Sequence, residues 1–145
     1  MEILSNFVET LSELMNEKNL TTDALGKAIR VSGANVRYWK EGKYQLHLSN
    51  ALKLADYFEC SLEFLMGRTH TRLDFMPCPC PPFHDRLMQV MKEYDKSRYR
   101  IVKDTSFTNG YFSRWKNGSD PLMETLLSLT DYFGCTLDYL VGREK

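Results

Sequence analysis

Two segments of this sequence combine basic side chains with amides and hydroxyls in a way that suits nucleic-acid binding. Residues 27–43 contain five lysines and arginines against one acid, and residues 96–116 contain six against one acid. Clustered cations neutralise phosphates and release their counterions, while asparagine and arginine donate hydrogen bonds to base edges. The two segments therefore indicate binding to a nucleic acid. Solvated helix faces that merely carry charge are the alternative interpretation.

The composition restricts where such a function could reside. The 145 residues have a formal net charge of zero, so no overall field attracts a polyanion, and any attraction must come from the two basic segments. No apolar run approaches the roughly 20 residues that span a bilayer, and the acidic N-terminus is unlike a signal peptide. Four cysteines are too few for a disulfide scaffold in a chain of this length. We therefore expect a cytoplasmic protein with reduced thiols and no membrane partner.

The cysteines could do other chemistry. Cys78 and Cys80 lie between His70 and His84, and two thiolates with two imidazoles could form a tetrahedral zinc site. The Cys-x-Cys spacing is tighter than that of ordinary zinc ligands. We therefore favour an inert segment over zinc binding or a redox or intermolecular disulfide, and predict no metal.

Catalytic motifs are absent from the sequence. It contains no glycine-rich phosphate loop, no His-Glu-x-x-His and no nucleophile beside a base in a recognisable motif. We predict no enzymatic activity, no cofactor and no small-molecule substrate. Cys60 and Cys135 are predicted to be buried small hydrophobes.

A proline cluster divides the chain. Four of the five prolines lie within residues 77–82, where missing N–H groups and a restricted backbone exclude a helix. Residues 7–42 overlay residues 83–118 with Trp39 and Trp115 in register, and such a repeat indicates duplication. We predict a first domain over 1–68, a linker over 69–82 and a second domain over 83–145.

Each half is predicted to contain five short helices. In the first half, Leu4, Phe7 and Leu11 recur at steps of three and four, as in an amphipathic helix. No segment alternates apolar and polar residues as a strand does. The fold class is therefore predicted to be all-α, with Trp39 and Trp115 in the two cores. Hydroxyl residues placed to cap later helices of the first half are Thr21, Ser32 and Ser61.

One motif suggests what the helices do. Val31-Ser32 ends a short turn, Val36 follows four residues after the serine, and an aromatic-x-x-Gly exit begins at Trp39. In these features the segment 25–42 resembles the Cro and lambda-repressor-like (XRE-type) helix-turn-helix family. The resemblance implies two tandem five-helix lambda-repressor-like domains joined by a Pro-rich linker. It also implies a transcriptional regulator of double-stranded DNA, with the third helix of each copy in the major groove.

The resemblance also implies which residues contact DNA. The family usually has a phosphate-binding glutamine near the start of the second helix, where this chain has Thr22 and Arg98. Its base-reading positions fall on Gly33 and Ala34 in the first copy, and neither side chain can hydrogen-bond a base edge. One copy could therefore have lost sequence reading. The predicted DNA-binding residues are Thr22, Ser32, Asn35, Arg37, Tyr38 and Lys43 in the first copy, and Arg98, Thr108, Asn109, Tyr111, Arg114 and Lys116 in the second.

The sequence departs from the family at two further places. The turn position that is usually glycine is Arg30 in the first copy and Ser106 in the second. If that residue adopts a left-handed conformation, a side chain there costs on the order of 1 kcal/mol. Asp104 stands where the first copy has Ala28, so the second copy's second helix is the more divergent.

Alternatives remain open for both function and assembly. The rival function is a protein-interaction module, resembling an antirepressor, that kept the fold and lost DNA reading. For assembly, a linker of roughly 14 residues at about 3.1 Å each would reach about 40 Å, enough for successive major grooves about 34 Å apart. One chain could thus bind two unlike half-sites as a pseudo-dimer, while a homodimer would bind a palindrome.

Overall fold

The structure is a computed structural model that describes residues 2–43, 45–70 and 77–144, without the side chains of residues 2–5. Ten α-helices and no strand are present in this described part of the chain, which confirms the all-α prediction. The predicted apolar stripe includes Leu4, whose side chain lies outside the described residues, as does the segment 71–76 of the predicted linker. The helices are α1 (Glu2–Glu17), α2 (Thr22–Ile29), α3 (Gly33–Lys40), α4 (Leu48–Phe58), α5 (Leu62–Leu65), α6 (Phe83–Glu93), α7 (Arg98–Asp104), α8 (Asn109–Lys116), α9 (Met123–Phe133) and α10 (Leu137–Val141).

The chain forms two compact units. The first unit comprises Met1–Asp74 together with Leu122–Glu124, and the second comprises Phe75–Pro121 together with Thr125–Lys145. Helices α1–α5 belong to the first unit and α6–α8 and α10 to the second, with the first two residues of α9 assigned to the first unit. The domain boundaries after residue 68 and before residue 83 stay predictions.

Hydroxyl caps begin most of the short helices in the first unit. Thr21 accepts a hydrogen bond from the Ala24 N–H at 3.1 Å, and Ser32 accepts one from the Asn35 N–H at 3.1 Å. Ser61 caps α5 in the same way, through the Phe64 N–H at 3.0 Å. Each cap satisfies a backbone donor that the helix leaves without a partner, a contribution of about 1 kcal/mol. The three residues proposed as caps from the sequence all act as caps.

The core of the first unit includes the buried faces of α2 and α3. Trp39 is buried there, as the sequence predicted. The buried residues Val36 and Trp39 are three positions apart with two exposed residues between them, as expected for one face of a helix. Burial of one large apolar side chain contributes about 1.5 to 3 kcal/mol, so these short helices depend on packing for their stability. Other buried apolar residues of this unit include Phe7, Leu11, Met15, Leu25, Val36, Leu54 and Leu65.

In the second unit an aromatic cluster surrounds Trp115. The ring centroids of Phe83, Tyr111 and Phe112 lie 5.1, 5.7 and 5.6 Å from that of the buried indole. Phe107 completes the cluster at 6.4 Å. Edge-to-face aromatic pairs contribute roughly 0.5 to 1.5 kcal/mol beyond the area that they bury. The cluster joins α6 to α8 and to the turn before α8.

The two turns between the helices of each motif differ. Arg30 has φ 63°, so the left-handed conformation considered for the glycine position is present in the first unit. In the second unit the positive-φ residues do not include Ser106, and Thr105 ends α7 in an extended conformation. The Thr105 hydroxyl donates to the Ile101 carbonyl at 2.6 Å and accepts from the Phe107 N–H at 3.1 Å. The second turn is therefore held by the hydrogen bonds of the Thr105 side chain, and Ser106 does not adopt a left-handed conformation.

Asp104 also has a structural explanation. Its carboxylate accepts a hydrogen bond from the Tyr132 hydroxyl at 2.7 Å and one from Arg100 Nε at 3.1 Å. The Tyr132 bond is the main cause of a lowered pKa at Asp104, and burial followed by the same bond raises the pKa of Tyr132. Because the pKa of Asp104 is lowered, this contact stabilises the fold above the ordinary pKa of an aspartate and weakens as the pH falls below it.

An ion pair closes the last short helix of each unit. In the second unit Asp138 and Arg143 lie 3.1 Å apart, with only 1% and 3% of their side-chain surfaces exposed. In the first unit Glu63 and Arg68 lie 3.4 Å apart and are 12% and 29% exposed. The buried pair has lost more hydration than the other, so each of its members depends more strongly on its partner.

The cysteines at equivalent positions are not equally buried. Cys60 is buried, as predicted, whereas Cys135 is only partly buried. The prediction of a buried Cys135 is therefore wrong. No group of three or more histidines, cysteines, aspartates or glutamates in the described residues could hold a metal ion, and no helix there is long and apolar enough to cross a membrane.

Candidate nucleic-acid interface

In the first unit α2 and α3 approach each other closely through glycine. A Cβ atom on Gly26 would lie 2.8 Å from the Val31 carbonyl oxygen, and one on Gly33 would lie 2.0 Å from Asp23 Oδ1 and 3.2 Å from Asp23 Cα. Gly33 thus permits the start of α3 to pack on α2. The family resemblance placed this glycine at a base-reading position, and its packing role was missed because that role depends on a residue ten positions away.

Most of the predicted DNA-binding residues of the first unit reach solvent. Arg37, Tyr38 and Lys43 are exposed, and Thr22 and Asn35 are partly buried. The Lys43 ammonium lies 3.6 Å from the Glu41 carboxylate, with both side chains exposed, and such surface pairs are worth little. The hydroxyl of Ser32 is already used as the cap of α3.

A polar groove of about 610 Å³ lies beside α3. Asn35 and Trp39 line it from one face of α3, since they are four residues apart, and Lys43 lines it from beyond the end of the helix. The buried Trp39 Nε1 has no hydrogen-bond partner among the described residues. The groove thus brings together two predicted DNA-binding residues. Three further residues line the groove and were not predicted to bind DNA. The sequence signal that could have indicated them is a cluster of amide and imidazole side chains after α3, namely Gln45, His47 and Asn50.

In the second unit the structure joins two predicted residues directly. Arg98, in the first turn of α7, donates from Nε to Asn109 Oδ1 at 3.0 Å and from Nη2 to the Asn109 carbonyl oxygen at 2.9 Å. Nη2 also lies 3.5 Å from Ser113 Oγ, and the guanidinium stands 5.0 Å above the centre of the Phe112 ring. The family resemblance placed Arg98 at a phosphate. In the structure its guanidinium instead holds the first turn of α8 through two hydrogen bonds to Asn109, which we call the Arg98 bracket.

The Arg114 guanidinium packs against an aromatic ring. Its guanidinium lies 4.8 Å from the centre of the Tyr111 ring, and that ring packs edge-on against Phe107 at 5.1 Å. A Cβ on Gly110 would lie 3.2 Å from Arg114 Nη1, so the guanidinium reaches back toward the start of α8. Tyr111, predicted to contact DNA, is partly buried and contributes a ring face to the support of Arg114.

The remaining predicted residues of α8 lie at its two ends. Thr108 and Lys116 are both exposed. Thr108 occupies the cap position of α8, but its hydroxyl makes no capping hydrogen bond. The first turn of α8 therefore offers the Thr108 hydroxyl, the Asn109 amide and the Arg114 guanidinium.

These geometries agree with what one comparison with known proteins shows. No curated protein and no solved structure gave a match to the chain. Residues 10–69 match the family model of the Cro/C1-type HTH DNA-binding domain. The matched segment covers the second half of α1 and all of α2 to α5. This segment is therefore similar to helix-turn-helix domains of the Cro/C1 type, which confirms the XRE-type resemblance for the first half of the chain.

Proposed function

We propose that the chain is a sequence-specific DNA-binding transcriptional regulator in which α3 and α8 each enter a major groove. The match of residues 10–69 to a DNA-binding family is the observation that carries this proposal. The exposed side chains on the two helices support it, because Arg37 of α3 and Asn109 and Arg114 of α8 have donors suited to base edges. Lys43 follows α3 and Lys116 is the last residue of α8. Both side chains are exposed and suited to contacts with phosphates.

We propose further that the second unit is a second copy of the motif, so that 1–68 and 83–145 are tandem domains joined by 69–82. Three correspondences support this. Both units have the same helix order, with a hydroxyl cap before their second helices at Thr21 and Ser97. Both bury a tryptophan in the third helix. Both close with an ion pair across the final turn.

The first prediction concerns binding to DNA of mixed sequence. Fluorescence anisotropy with the full chain and duplex DNA should show binding at 50 mM salt that weakens steeply toward 200 mM, since neutralised phosphates release counterions. A protein with six to ten phosphate contacts would lose about 10³ to 10⁵ in affinity over this range. Absence of binding at 50 mM salt would contradict the proposed function.

The second prediction concerns Arg114. Arg114→Ala should weaken binding to a selected site by about 1 to 3 kcal/mol and relax the preference at one base, which we expect to be guanine. Lys116→Ala is the matched control from the same helix. It should weaken binding equally for all sequences and reduce the salt slope by about 1. Equal, sequence-independent losses in both variants would show that Arg114 contacts only the backbone.

The alternative function is a protein-interaction module that kept the fold and does not read DNA. Gly33 favours it, because its packing on Asp23 leaves the first position of α3 without a side chain for base contacts. Footprinting with light scattering separates the remaining possibilities. Two unlike half-sites on a monomer would support a single-chain pseudo-dimer, and a palindrome on a dimer would support homodimerisation. A protein without any footprint that captures a related regulator would support the alternative.

A further inference from the structure

We infer that Arg98 sets the base preference of α8 by holding the amide oxygen of Asn109 toward itself, so that this asparagine reads guanine rather than adenine. The inference rests on the proposed function and deepens it, because it specifies the chemistry of the site that the second unit would recognise. It assigns Arg98 as a positioning residue that acts through Asn109, instead of as a simple phosphate contact.

The first step is the orientation of the Asn109 amide. An arginine side chain can only donate hydrogen bonds, so the atom of Asn109 that faces Arg98 Nε at 3.0 Å must be the oxygen. The second bond, from Nη2 to the Asn109 carbonyl at 2.9 Å, ties the same guanidinium to the backbone of the first turn. These two contacts fix both the rotamer and the direction of the amide. The Nδ2 donors then remain, without a protein partner in the described part of the chain, on an exposed side chain.

The second step is the chemistry of the base edges. Asparagine recognises adenine with two bonds, accepting from N6 and donating to N7. One lone pair of Oδ1 accepts from Arg98 and directs the oxygen toward α7, so Asn109 presents its Nδ2 donors to a base more readily than its acceptor. The guanine edge in the major groove presents the acceptors N7 and O6, which suits a donor. The adenine edge presents N7 as its one acceptor, with the N6 donor beside it, so it suits a pair of donors less well than guanine does.

The third step is the immediate surroundings. Arg114, also a pure donor, reaches back to within 3.2 Å of a Cβ position on Gly110, the residue after Asn109. Helix α8 therefore presents two donor groups, the Asn109 amide and the Arg114 guanidinium. In the repeat alignment, Thr22, Gly33 and Arg37 occupy the positions of Arg98, Asn109 and Ser113. The first unit lacks this bracket, so the preference for guanine is a property of the second half-site.

The test is selection of bound duplexes from a pool with a randomised site, using the full chain. Asn109→Ala identifies the base pair that Asn109 contacts, because discrimination should be lost there and kept elsewhere. The wild-type protein should prefer guanine at that pair. Arg98→Lys keeps the charge but cannot form the two-atom bracket, so the preference should shift from guanine toward adenine by roughly threefold to tenfold, the range of one net hydrogen bond.

Two outcomes would overturn the inference while leaving DNA binding intact. One is a wild-type preference for adenine at the pair that Asn109 contacts. The other is an Arg98→Lys protein with unchanged preferences and weaker binding to every sequence, which would make Arg98 a phosphate contact. Thermal unfolding of each variant checks that the fold is kept, and both side chains are exposed.

A measurement on the free protein separates this inference from the proposed function. In NMR spectra, the Arg98 Nε–H should show a slowly exchanging signal that disappears in Asn109→Ala. A visible signal in a protein that binds no DNA would refute the proposed function and the guanine assignment but leave the bracket standing. DNA binding without the signal would refute the inference alone.

Discussion

Arg143→Ala should lower the free energy of unfolding of the second unit by about 3 to 5 kcal/mol, the usual cost of removing one partner of a buried ion pair. Asp138 would be left with 1% of its side chain exposed and without its guanidinium 3.1 Å away. An ionised carboxylate in that position would lose the opposite charge that offsets the cost of its burial. Urea unfolding followed by circular dichroism at neutral pH measures the loss.

The first unit supplies the control for Arg143. Arg68 closes the first unit in the same way, but its side chain is 29% exposed. Water can therefore hydrate Glu63 after Arg68→Ala, and we expect a smaller loss than at Arg143. Replacing Asp138 and Arg143 together by apolar residues of similar volume should recover much of the stability. Equal losses at Arg68 and Arg143 would show that burial is not what distinguishes the two pairs.

Trp115→Ala should also destabilise the second unit by about 3 to 5 kcal/mol, because the cavity left by a core tryptophan is only partly filled by relaxation. The indole is buried and is the common neighbour of Phe83, Phe107 and Phe112. The variant should therefore lose DNA binding through unfolding, and calorimetry should show a lower transition temperature.

Arg114→Ala, one residue away, separates stability from recognition. Its side chain is exposed, so this variant should keep the transition temperature of the wild-type protein while losing affinity. Trp115→Phe should fall between the wild type and Trp115→Ala, since it keeps an aromatic ring in the cluster. A Trp115→Ala protein that unfolds like the wild type would contradict the core position of the indole.

The sequence predicted those parts of the fold that depend on neighbours along the chain. Caps such as Thr21 and Ser32 act over three residues, so a hydroxyl before an amphipathic segment is enough to locate them. Helical spacing likewise identified the buried face that carries Trp39 and Trp115. These features follow from local geometry, and the structure differs little from them.

The features that the sequence did not predict depend on contacts between elements. The Arg98 bracket joins residues 11 positions apart, and no pattern in the sequence indicates which rotamers bring them together. Nothing in the residue type shows that Ser106 avoids a left-handed conformation, because the Thr105 hydroxyl makes the turn. The exposure of Cys135 likewise depends on packing around it, which differs from that around Cys60. The sequence therefore predicted which segments are helical more readily than it predicted the contacts of each side chain.

The contact between Gly33 and Asp23 has a consequence for how this protein could acquire new binding preferences. Any side chain at position 33 must first displace the Asp23 carboxylate, which would lie 2.0 Å from its Cβ. New variants at this position must therefore move the Asp23 side chain and accommodate a tight contact of 3.2 Å with Asp23 Cα before they gain a base contact. The corresponding position of the second unit already carries Asn109 on an exposed surface. The first turn of α8 can consequently vary under selection, while the first turn of α3 is restricted by its contact with α2.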